Sequence, residues 1–282
     1  MITVGVPCYN EARNLQALLD DLAAQELNDE LEIIIVDDAS DDDTLLIAES
    51  FASRDHRARV HRHTERRGST AGWNSVFELA RGDALVRLDG DVRLDRNVVG
   101  ALAAPLLSHP DQPRLSYCAV VPRDPPTTWV ARGTGFIYRY IDRQNQMSRA
   151  TPESLLCAVL GATRGFYADF RIPSTIVAND YFTARTANRQ RVPVEIVDAV
   201  ATIKPASTLA DFQRQARRMA GAHKQIDEAL GNSPRDKFAS LPAIVLEAVR
   251  DPLGAASFLQ LRREIRGGAS NETAWEIAES TK

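Results

Sequence analysis

Three short apolar runs set the limits on how this chain can fold: ITVGV at 2–6, LEIIIV at 31–36 and ALVRL at 84–88. Helical patterns separate them. Leu15, Leu18, Leu19 and Leu22 recur at helical spacing, a second helix follows from about Thr44, and STAGWNSVFELA (69–80) reads as a third. ARVHR (58–62) adds a short strand. Asn10 is placed to cap the first helix. An unbroken run such as LEIIIV suits a strand buried on both faces. Strands alternating with helices predict right-handed crossovers and a largely parallel sheet, an α/β fold. Ligands bind such sheets at the carboxyl ends of the strands. Asp37-Asp38 and Asp89-Gly90-Asp91 fall at those ends.

Beyond residue 120 the pattern loosens. Residues 121–135 read as a loop-rich transition. TPESLLCAVLGATRGFYADF (151–170) reads as a capped helix running into a glycine-punctuated loop. VPVEIVDAVATI (192–203) is strand-like, and a helix is predicted from about Thr208 to Leu230. LPAIVLEAVRDPLGAASFLQLRREI reads as two amphipathic helices broken at Asp251-Pro252, and the last residues as a tail. The expected organisation is 1–122 and 123–230 as two halves of one domain and 231–282 as a helical C-terminal extension.

Composition narrows the function classes. With 44% hydrophobic and 26% charged residues the chain has ordinary globular content. A net charge of −4 argues against a nucleic-acid partner. Cys8, Cys118 and Cys157 are far apart and odd in number, so neither a disulfide framework nor a zinc pattern is expected. No signal-peptide pattern is visible, and no apolar run approaches the roughly 18–20 residues of a membrane span. A cytoplasmic protein is expected, with attachment to the inner face of a membrane left open.

Two carboxylates bracketing a glycine can hold a hard cation, Mg²⁺ or Mn²⁺, whose open positions take phosphate oxygens. The plain alternative is a solvated Asp-Gly turn. Asp37 and Asp38 can accept from a base imide or a ribose hydroxyl, or serve as a helix N-cap, a post that Ser40 or Asp41 can fill without them. Tyr9 can stack on a base. Asp180 suits a general base in an apolar setting, or the cap of a helix at Tyr181–Asn188. Gln215 and Arg218 share a helix face with Arg214, which is either a diphosphate clamp or a solvated basic face. His56, His61 and His63 fit a half-exposed strand better than a metal site. His223 could reach the diphosphate. Trp129, Phe136 and Tyr138 fit a core, or sugar-stacking positions near an acceptor.

The ordered set VGVPCYNEARNL, IIIVDDASDDDT, RRGSTAGWNSVFELARGDALVRLDGDV, NDYFTAR and QARRMAG resembles the family 2 glycosyltransferases, inverting enzymes of the GT-A fold. The resemblance covers about residues 1–225. It implies a Rossmann-like, mostly parallel sheet flanked by helices, with a helical C-terminal extension. It implies that Pro7, Tyr9 and Asp38 lie against the nucleotide base, with Asp37 close by and Arg67 near the base or diphosphate. Asp89 would contact ribose or sugar, and Asp91, with Asp89, would hold Mg²⁺ or Mn²⁺. Asp180 would be the catalytic base, and Gln215 and Arg218 would close over the donor diphosphate. Two positions depart from the family. Asn179 stands where Glu is usual, and Met219 replaces the Trp of Q-x-x-R-W that accompanies processive synthases, which implies a non-processive enzyme. The implied donor is a nucleotide sugar, UDP first. The acceptor is a saccharide, a lipid-linked sugar or a small molecule. Two other readings are a sugar nucleotidyltransferase, opposed by the missing glycine-rich phosphate loop, and a non-catalytic partner subunit, opposed by the intact carboxylates. The C-terminal amphipathic stretches suit a membrane surface, core packing or a homodimer. The lack of a basic cluster favours the last two.

Overall fold

The computed structural model describes residues 1–147, 158–231 and 241–266. Its first half follows the alternation: β1 (Ile2–Cys8), α1 (Ala12–Ala23), β2 (Leu31–Asp37), α2 (Thr44–Arg54), β3 (Ala58–Arg62), α3 (Ser69–Leu79) and β4 (Ala84–Leu88). These four strands run parallel, with Cys8 beside Asp37 and Gly5 beside Arg87. Leu15, Leu18, Leu19 and Leu22 form the buried stripe of α1. Ile33–Val36 and all five residues of β4 are buried. Each such aliphatic side chain contributes roughly 1.5–3 kcal/mol of burial energy, which holds the strand ends in fixed register.

The second half comprises β5 (Arg93–Leu94), α4 (Val98–Leu107), β6 (Leu115–Pro122), α5 (Trp129–Met147), β7 (Val159–Thr163), α6 (Arg164–Tyr167), α7 (Asn179–Arg189), β8 (Val194–Ile203), α8 (Leu209–Leu230), α9 (Leu241–Arg250) and α10 (Pro252–Arg266). The strands of both halves form one sheet in the order β3-β2-β1-β4-β7-β6-β8-β5. Here the ladder is mixed. β7 is antiparallel to both β4 and β6, β6 is parallel to β8, and β5 is antiparallel to β8. The expected largely parallel sheet is present in the first four strands and again at β6 and β8, and β5 and β7 make it mixed.

Three local expectations change. The segment after residue 121 is a loop only to Thr128, and α5 takes in its second part. The glycine-rich stretch after Ala158 forms β7, whose Gly161 has no room for a side chain because a Cβ would lie 2.0 Å from the Ser116 hydroxyl. Asn10 is no helix cap: its φ is +53° and Glu11 takes the cap position. Asn10 instead ties two turns together, accepting from the Asp41 amide at 3.1 Å and donating its own amide to the Ser40 hydroxyl at 3.1 Å. The predicted helix at 151–157, Cys157 and the tail lie outside the described residues.

The C-terminal helices pack on α5. Phe258 stacks on Phe136 at 5.4 Å. Glu247 bridges Arg139 (2.8 Å) and Arg143 (3.0 Å), and Asp251 pairs with Arg139 at 2.6 Å.

Candidate active site

Because β1, β2 and β4 run parallel in this register, Tyr9, Asp38 and Asp89 leave the sheet at one edge. β6 and β8 end at the same edge, where Pro122 pairs with Ile203 and the Arg123 amide donates to the Ile203 carbonyl at 2.9 Å. β5 pairs Arg93 with Thr202, which brings Asp91 to that end as well.

Asp38 is engaged inside the protein. Its Oδ1 meets His63 Nδ1 at 2.7 Å and accepts from the Arg67 amide at 2.9 Å, and its Oδ2 accepts from the Gly68 amide at 2.7 Å. His63 Nε2 reaches the Ser75 hydroxyl at 2.9 Å. His63 is therefore a buried fastener of the 63–68 loop, while His61 stays exposed. Gly68 adopts φ +89°, a left-handed conformation that suits glycine in this loop. Arg67 is exposed and reaches Asp38 through its backbone, whereas the Arg66 guanidinium lies 4.2 Å above the Tyr9 ring. Asp37 is fully buried, with Oδ2 accepting from the Ser40 amide at 3.3 Å and Oδ1 without a hydrogen-bond partner among the described residues. Pro7 packs so closely on α3 that a Cβ on Gly72 would come within 2.8 Å of it.

Asp89 and Asp91 are half-buried and differ from Asp38 in kind. Burial pushes the Asp89 carboxyl well above the ordinary carboxylate range, and the neighbouring Asp180 and Asp91 push it further. Arg87 and Arg218 oppose the shift. Burial raises Asp91 to about 6, against the pull of Arg123 and Arg218. The Tyr138 hydroxyl, on α5, is also pushed up by burial and by Asp91 and Asp89. Asp89, Asp91, Asp180, Tyr138, Arg218 and Arg123 thus share one electrostatic environment. Gly90 does not need an unusual φ; its Cβ would stand 3.1 Å from Glu11 Cγ, so the constraint there is a close neighbour.

Asp180 sits in the first turn of α7 with its side chain 45% exposed. The 172–179 segment before it is sewn to α3. Asn74 accepts from the Ile172 amide at 2.9 Å and donates to its carbonyl at 2.8 Å, and the Thr70 hydroxyl donates to the Ile176 carbonyl at 2.6 Å. Arg87 Nη2 donates to Asp180 Oδ1 at 3.3 Å. On α8, Gln215 is half-buried, and Arg214 pairs with Asp211 at 3.8 Å within the helix. Arg185 joins α7 to α8 through Asp227 at 3.1 Å. Arg87, Arg123 and Arg66 escaped the sequence reading. A lone arginine in an apolar strand gives no spacing signal. Its only warning is a charge inside a run that is otherwise fully apolar. The side chain of His223 lies outside the described residues.

Two acidic side chains one residue apart offer oxygen ligands alone, as a hard cation requires. Among the described residues no group of three or more His, Cys, Asp or Glu side chains forms a complete cage. The donor set therefore fits an ion that takes part of its shell from phosphate and water. The raised carboxyls fit it too, because a bound cation would favour their ionised form.

Known proteins share this fold. A mannosyltransferase of Pyrobaculum calidifontis, solved with GDP-Man and Mn²⁺, superposes over 96% of this chain and 76% of its own, with a TM-score of 0.65 and 22% identity. Glucosyl-3-phosphoglycerate synthase of Mycobacterium tuberculosis, solved with Mn²⁺, UDP and phosphoglyceric acid, superposes over 83% of this chain and 80% of its own, with a TM-score of 0.56 and 16% identity. At these identities the likeness is one of fold, the GT-A fold. In sequence, glycosyltransferase AglD of Haloferax volcanii is 35% identical over 98 residues, 33% of this chain and 16% of that protein. Dolichol-phosphate mannosyltransferase of Pyrococcus furiosus is 35% identical over 103 residues, 36% of this chain and 28% of that protein. The chain thus spans less than a third of these two curated relatives. The sequence pattern of glycosyl transferase family 2 covers residues 3–163, from β1 through both acidic strand ends to β7, and the chain belongs to that family.

Proposed function

We propose that the protein is an inverting, metal-dependent, non-processive glycosyltransferase. It moves a sugar from a nucleoside-diphosphate sugar, UDP first, to an acceptor hydroxyl in polysaccharide or glycoconjugate synthesis. One observation carries the reading: Asp180, Asp91, Arg87 and Arg218 all stand close enough to Asp89 to act on its charge, which gathers three carboxylates and two guanidiniums at one strand end. Asp91, with Asp89, would hold Mg²⁺ or Mn²⁺, which supplies neutralising charge for the departing diphosphate. The Tyr9 ring and the loop fastened by Asp38 line the base. Gln215 and Arg218 lie over the diphosphate, and Arg218 stabilises the charge that develops there. Asp180 takes the proton of the acceptor hydroxyl as its oxygen attacks the anomeric carbon. The bond from that carbon to the diphosphate breaks on the opposite face, and the configuration inverts in one displacement.

Calorimetric titration with UDP, GDP and dTDP, each with and without Mn²⁺, tests the donor side. One nucleotide should bind only with metal and lose that binding in Asp91→Ala. Absence of binding by any of them overturns the reading. Asp180→Asn should keep nucleotide binding and lose at least about 100-fold in transfer rate. Full transfer by that variant would remove Asp180 from the chemistry.

A specific surface bears on the acceptor. Of twelve exposed large apolar side chains among the described residues, six lie on α9 and α10: Val245, Leu246, Val249, Leu253, Leu259 and Ile265. Arg250, Arg262 and Arg263 are exposed on the same helices. Among the described residues no helix is long and apolar enough to cross a membrane. These exposed side chains support peripheral contact with a bilayer and a lipid-linked acceptor. Co-sedimentation with anionic and with neutral vesicles tests it. A homodimer that buries these side chains, with no vesicle binding, replaces this reading.

A further inference from the structure

We propose that Arg87 is a positioning residue for Asp180: a buried guanidinium that aims the base through a clamp shared with Asn179. The proposal rests on the reading of Asp180 as the base. Arg87 is the fourth of the five residues of β4, two before Asp89, and is 1% exposed. A charge so deeply enclosed needs partners that hold it on several sides. Both terminal nitrogens have them, while Nε has none among the described residues. Nη1 donates to the Thr183 hydroxyl at 3.1 Å, and Nη2 donates to Asn179 Oδ1 at 3.0 Å and Asp180 Oδ1 at 3.3 Å. The plane of the group is set by Trp73, whose ring centre lies 4.0 Å from the guanidinium carbon.

The partners are themselves fixed. The Thr183 hydroxyl donates to the Asn179 carbonyl at 2.7 Å, and Asn179 Nδ2 donates to the Ser69 hydroxyl at 2.9 Å. The clamp therefore joins β4, the first turn of α3 and the first turn of α7. Asparagine suits this post because its amide accepts from Arg87 on one side and donates to Ser69 on the other. A glutamate at the same place has no hydrogen to donate. Holding Oδ1 of Asp180 sets the direction in which the rest of that half-exposed carboxylate faces the cleft. The guanidinium also adds positive charge beside Asp89, which Asp180 and Asp91 crowd.

The test uses the full chain as Arg87→Met, Arg87→Lys and Asn179→Ala, with Asp180→Asn as reference. Three readouts are taken: crystal structures, Mn²⁺-dependent binding of UDP and GDP, and release of nucleotide from UDP-glucose and GDP-mannose with water as acceptor. In Arg87→Met the Asp180 carboxylate should turn away from its present direction while Asp89 and Asp91 stay in place. Its kcat should fall at least about 100-fold, with KM and nucleotide affinity within about threefold. Arg87→Lys should recover part of the rate, because an ammonium reaches one arm of the clamp and cannot match the planar fork. Asn179→Ala should show the same split at about tenfold. An unmoved Asp180 in Arg87→Met overturns the proposal. So does an equal loss of nucleotide binding and rate, which would make Arg87 a fold residue only. Should Arg87→Met fail to fold, the Asn179→Ala structure and kinetics decide on the same terms. If Asp180→Asn keeps its activity, the base reading itself falls. If it is inactive while the Arg87 and Asn179 variants are normal, only the clamp falls.

Discussion

Two acidic strand ends flank β1 in this sheet and are treated in opposite ways. At the end of β2, the Asp38 carboxylate receives two backbone amides and a histidine nitrogen at 2.7–2.9 Å. At the end of β4, Asp89 and Asp91 are enclosed and pushed toward their protonated forms. The first site spends its charge on holding the 63–68 loop. The second leaves its carboxyls short of stabilisation within the chain, as the proposed cation site requires. A carboxylate satisfied by the protein is a structural part, and one left short of stabilisation is poised for a ligand.

The largest expected effect separates the two directly. Asp91→Ala should weaken Mn²⁺-dependent nucleotide binding by at least about 100-fold, since even outer partners of a metal site are worth 10–100-fold. Its thermal stability should hold or rise, because an enclosed carboxylate is gone. A clear drop in melting temperature would erase the contrast. Asp38→Asn should do the reverse. An amide nitrogen would face backbone N–H groups, and the charge-assisted bonds would be lost, at a cost of about 2–3 kcal/mol. That corresponds to a fall in melting temperature of roughly 3–5 °C, read by calorimetry. An unchanged melt would show that Asp38 is not holding the loop.

The smallest effect concerns pH. Asp91 is raised from 3.8 to about 6 in the folded protein. Between those values the folded chain holds a proton that the unfolded chain has released. The metal-free protein therefore loses stability as pH rises through that window. A cation needs the ionised form, so Mn²⁺ binding should be about tenfold weaker near pH 5 than near pH 7.5. Titration calorimetry at the two pH values measures it. The pH dependence should persist in Asp38→Asn.

The two halves of the chain also differ in how far they can be read without coordinates. β1 to β4 follow from local signals: unbroken aliphatic strands, a leucine stripe on α1, and Asp-rich turns at the strand ends. Parallel strands joined by helices leave few topologies, so these signals place Tyr9, Asp38 and Asp89 at one edge. The second half depends on pairing between distant residues. β7 joins β4 only because Leu88 meets Val159 and Ala84 meets Thr163, and its glycine content reads locally as a loop. The helix α5 starts inside a stretch whose prolines and glycines argue for a break. Its Gly133 and Gly135 are there for close packing, since a Cβ on Gly133 would meet Leu261 at 2.6 Å and one on Gly135 would meet Pro122 at 3.2 Å.

By itself, the sequence determined the family, the parallel β1–β4 core and the acidic residues at its edge. Each of these rests on residue type at short spacing, which sets local conformation and the face a side chain occupies. Only the tertiary structure decided that Asp38 is tied inward while Asp89 and Asp91 are not. It also decided that Arg66 covers Tyr9, that His63 is a fastener, and that Arg87 reaches Asp180 across 93 residues of chain. Hydrogen bonding and desolvation depend on which groups meet in space, and residues brought together by long-range packing leave no periodic trace along the chain.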